Sequence, residues 1–115
     1  MGRAPVLPEI LRQHAEMAAF LWTVYDRHLL NPEENPDMDE ERLARLIERL
    51  EAHLDGLRVA GGDGKRMAAE VFAEYPEAGE LFVVRMLAGH EPPRIRALDV
   101  GKVRGFLVAN GKAQV

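Results

Sequence analysis

The chain has 115 residues, 47% hydrophobic and 30% charged, with a formal net charge of −4. That is enough for one hydrophobic core and too little for two ordinary domains, so residues 1 to 115 are expected to form a single soluble domain. No apolar run approaches the roughly 20 residues that span a bilayer, and with no cysteine disulfides and thiolate metal sites are excluded.

Pro8 suits a first helical turn, where its missing N–H costs nothing, and Glu9 adds a favourable charge at the positive end of the helix dipole. A first helix is expected from about Pro8 to Leu30. Ile10, His14, Met17, Leu21, Val24 and Tyr25 form one apolar stripe on it, and Leu11, Ala18, Trp22 and Leu29 form a second beside the first. A helix packed on one neighbour needs a single stripe, so this helix should contact two elements. The second stripe, with Trp22 as anchor, is a candidate surface for a partner molecule.

Asn31, Pro32, Asn35, Pro36 and Asp37 bring turn and breaker chemistry. Two caps then compete for the second helix. Asp37 with Glu40 matches a capping box, whereas Asp39 lets Met38 staple onto Leu43. Leu43, Ile47, Leu50, Leu54 and Leu57, with Leu46 beside them, recur every three or four residues and mark a clear amphipathic helix. Glu41, Arg45, Glu48, Arg49, Glu51 and Asp55 keep its other face wet. Gly61-Gly62-Asp63-Gly64 ends it, and Asp63 can cap a short third helix through Tyr75. Pro76-Glu77 opens a fourth that stops near Gly89. Within it, residues 81 to 87 also suit a buried strand, but the start and stop signals and the lack of a partner strand favour helix. A last helix over Asp99 to Ala109, weakened by Gly101 and Gly105, completes five elements.

Catalytic and metal constellations are not expected. His14-Ala15-Glu16 has the H-x-E form of zinc deaminases, but its cysteine partners are absent. His14, His28 and His53 show no spacing that makes ligands converge, so neither a metal nor another cofactor is anticipated. His53 and Asp55 are two apart, on different faces of a helix, and the chain contains no serine nucleophile. Gly61-Gly62-Asp63-Gly64-Lys65 lacks the spacing and ending of a phosphate loop and reads as a turn. Residues 1 to 90 carry 17 acidic and 10 basic side chains, against 2 and 5 in residues 91 to 115. An acidic body repels phosphate backbones, which argues against a nucleic-acid partner. The first residues lack a signal-peptide pattern, so the expected location is the cytoplasm.

Several blocks carry a resemblance: Gln13-His14-Ala15-Glu16, Ala19-Phe20-Leu21-Trp22, Glu51-Ala52-His53-Leu54-Asp55-Gly56-Leu57-Arg58-Val59-Ala60-Gly61 and, more loosely, Glu77-Ala78-Gly79-Glu80-Leu81-Phe82. Together they span roughly residues 7 to 88, and the third block is the most specific. They resemble the N-terminal region of bacterial HEAT-repeat-like helical proteins associated with type VI secretion, where short relatives assist effector delivery. The resemblance implies an all-α fold of about five helices stacked as antiparallel hairpins, a truncated solenoid with an open helix face.

The reading that follows is a non-catalytic adaptor or co-chaperone that binds a type VI effector, its loading chaperone or another copy of itself. Leu11, Ala18, Trp22, Leu29, Val103 and Phe106 are the expected partner-binding residues. The alternatives are an immunity protein that uses its acidic body to block a cationic toxin and, with least support, a small enzyme.

Overall fold

A computed structural model describes residues 7–89. Four α-helices account for most of them: α1 (Pro8–Leu30), α2 (Glu40–Val59), α3 (Gly62–Glu74) and α4 (Ala78–Ala88), with a short 3-10 helix (Pro32–Glu34) between the first two and no strand among the described residues. The helix expected over residues 99 to 109, and Val103 and Phe106 with it, lies outside the described residues.

The first helix has its expected ends, with Pro8 in its first turn and the Asn31 N–H bonded to the Arg27 carbonyl at its close. Between the two candidate caps of α2 the structure selects Asp39, whose carboxylate accepts from the Arg42 backbone N–H at 2.9 Å. Asp37 contributes its backbone instead, its carbonyl accepting from the Arg42 guanidinium. Asp63 is not the cap of α3. Gly61 takes that place, at a φ of 61°, a left-handed conformation that suits glycine and reverses the chain within two residues. Asp63 falls in the first turn and pairs with Arg66 at 2.7 Å. Residues 81 to 87 are helical. Leu81, Phe82, Val83, Met86 and Leu87 are all buried, so α4 is apolar on most sides because most sides are covered.

The core runs through all four helices. Leu46, Leu50, Leu54 and Leu57 of α2 are buried as their periodicity demands, each contributing about 1.5 to 3 kcal/mol through the apolar surface it removes from water. They lie against α1, which also packs on α3 and α4. The two stripes of α1 therefore meet three helices, one more than two stripes require. At the crossing with α4, Gly79 lets the backbones come close. A β-carbon there would lie 2.6 Å from both the Ala19 carbonyl oxygen and the Thr23 hydroxyl, and that hydroxyl already donates to the same carbonyl at 2.8 Å. No described helix is long and apolar enough to cross a membrane.

Candidate functional site

The residues expected to bind a partner divide sharply. Leu11, Ala18 and Trp22 belong to the core. Trp22 is 4% exposed and stacks on Phe82 of α4, with ring centroids 5.0 Å apart and planes inclined by 15°. Leu11, Ala18 and Trp22 of the second stripe are thus covered within the chain, and Trp22 is an internal anchor. Leu29, near the end of α1, is 38% exposed.

Other apolar side chains face solvent. Leu7, Ile10, Phe20, Leu30, Val59 and Tyr75 are all exposed, Val59 the most at 85%. The antiparallel pairing of α1 and α2, with His14 opposite His53, brings the start of α1 level with the end of α2. Leu7, Ile10 and Val59 consequently lie towards the same end of the bundle, and exposed apolar side chains mark contact surfaces where they are contiguous.

A histidine pair joins α1 to α2. His14 of α1 and His53 of α2 are half-buried, and their Nδ1 atoms are 3.0 Å apart. Their ring centroids lie 5.2 Å apart with planes inclined by 56°. The centroids are farther apart than the nitrogens by nearly a full ring width, so the nitrogens point at one another. One Nδ1–H donates to the other Nδ1, which must be neutral to accept. The His14 ring also lies over Gly56, where a β-carbon would come within 2.7 Å of its Nε2. Burial pushes the His53 imidazole below its ordinary value, and the positive charges of His14 and Arg49 push it the same way.

No group of three or more potential metal ligands converges among the described residues. His53 and Asp55 have separate partners, the carboxylate of Asp55 accepting from Arg58 at 2.7 Å. The sequence reading treats the histidines one at a time and misses the pair, because the contact spans 39 positions. A register argument could have found it. His14 lies 16 residues before the end of α1, and His53 lies 13 after the start of α2. With a short connection between them, an antiparallel hairpin sets such positions nearly level.

Compared with known protein families, with curated proteins and with solved structures, the chain matches none.

Proposed function

We propose that this chain is a non-catalytic helical adaptor that binds a protein partner through the apolar end formed by Leu7, Ile10 and Val59. One observation carries the reading: Val59 ends α2 at 85% exposure and shares its end of the bundle with two more exposed aliphatic side chains. Burying such a group against a partner yields about 25 cal/mol per Å² of apolar surface removed from water. Residues 31–39 lead from α1 to α2 and residues 75–77 from α3 to α4, and the antiparallel pairing of α1 with α2 supports hairpins of HEAT-like type. The resemblance names the partner class: a type VI secretion effector or its loading chaperone, met in the cytoplasm.

Affinity purification from the native host, with the wild type and Val59→Glu side by side, tests this. The wild type is expected to bring down an effector or a loading chaperone, and the variant to lose it while keeping its helicity and melting temperature. Retention of the same partner by the variant would remove this end of the bundle from the interface.

A further inference from the structure

The His14–His53 contact carries a consequence beyond partner binding. Two neutral rings can share a hydrogen bond, and so can one charged and one neutral ring, because a single acceptor nitrogen suffices. Two charged rings cannot, since both Nδ1 atoms then carry protons and two positive charges meet across 3.0 Å. The His14 ring is seated over Gly56 with its Nδ1 directed at His53. We propose that this pair is an acid-sensitive latch between α1 and α2, closed while at most one ring is charged and opened when both are.

The surrounding charges favour release. His14 acts on His53 from α1 and Arg49 from its own helix, both with positive sign. Asp55, two residues on and on a different face of α2, is engaged by Arg58. The direction follows from linkage. His53 binds its proton less readily in the folded chain than at its ordinary value of 6.5, so unfolding takes up protons as the pH falls through that value. Stability is complete above it and declines below it, until the pH reaches the lowered folded value. Opening would bare the leucine seam of α2, which packs on α1.

Urea unfolding from pH 8 to pH 5, on the wild type and on His14→Gln and His53→Gln, tests the latch. Glutamine can hydrogen-bond to a neutral ring in either role and never carries charge. The wild-type unfolding constant is expected to rise below about pH 6.5, by up to about tenfold per pH unit for each proton taken up. Each variant should show a shallower rise. His28 and His90 stay in all three proteins, so their titration is common to the set. Identical pH profiles in the three would overturn the proposal. Nitrogen-15 NMR of the wild-type rings gives a second readout that needs no variant to fold. Loss of contacts between α1 and α2 as the second ring protonates supports the latch, and intact contacts with both rings charged would refute it.

Discussion

At the scale of single residues, burial decides which aromatic side chains hold the fold. Trp22→Ala should cost about 3 to 5 kcal/mol, because it empties a packed site and removes the stack on Phe82. Phe20→Ala should stay within about 0.5 kcal/mol, the usual range for surface changes, since Phe20 is 59% exposed on the same helix. Denaturant midpoints of the two variants check this, and equal losses would contradict the assignment of Trp22 to the core. The sequence showed Trp22 on an apolar stripe without showing what covered it. The covering residue, Phe82, lies on a different helix, and helical periodicity names a face but no neighbour. His14 and His53 stayed hidden for the same reason: their meeting is a property of helix register.

Helix ends are the next scale, and there local chemistry speaks more directly. Asp39→Ala should lower stability by about 1 kcal/mol through loss of its bond to the Arg42 N–H. Asp37→Ala should cost much less, because Asp37 meets Arg42 through its backbone carbonyl, which the substitution preserves. Melting temperatures of both variants separate the competing caps, and a larger loss at Asp37 would reverse the choice. The limits of α1 and the leucine face of α2 were legible because proline, asparagine and evenly spaced leucines act within a few residues of themselves. Asp63 misled, since it stands in a plausible capping position while the reversal at Gly61 begins α3 two residues before an Asp63 cap would. The run from Leu81 to Leu87 was ambiguous for a different reason: full burial erases the polar face from which a helical period is read.

Across the whole molecule, each of the four α-helices touches the other three, α1 most extensively. In a linear repeat array each unit meets only its neighbours and can fray alone, whereas helices gathered round a shared α1 should lose structure together. Trp22 fluorescence, which senses the packing of α1 on α4, and far-UV circular dichroism, which senses all the helices, should therefore give coincident urea midpoints at neutral pH. Separate midpoints would mean that α3 and α4 form an independent unit. This central role was only partly legible. Two stripes on α1 implied two neighbours, and the third came from the way α3 and α4 both fold back onto it.

The position of α1 also has a consequence for biosynthesis. It is the first of the four helices to be translated, yet its contact with α4 awaits the segment ending at Ala88, a delay of about 3 to 12 s at ordinary elongation rates of about 5 to 20 residues per second. Through that interval Trp22 lacks Phe82, its stacking partner in the finished chain. The nascent chain is therefore most exposed to premature association along the face of α1 that the completed protein hides best, and α4 is the segment whose arrival ends that exposure.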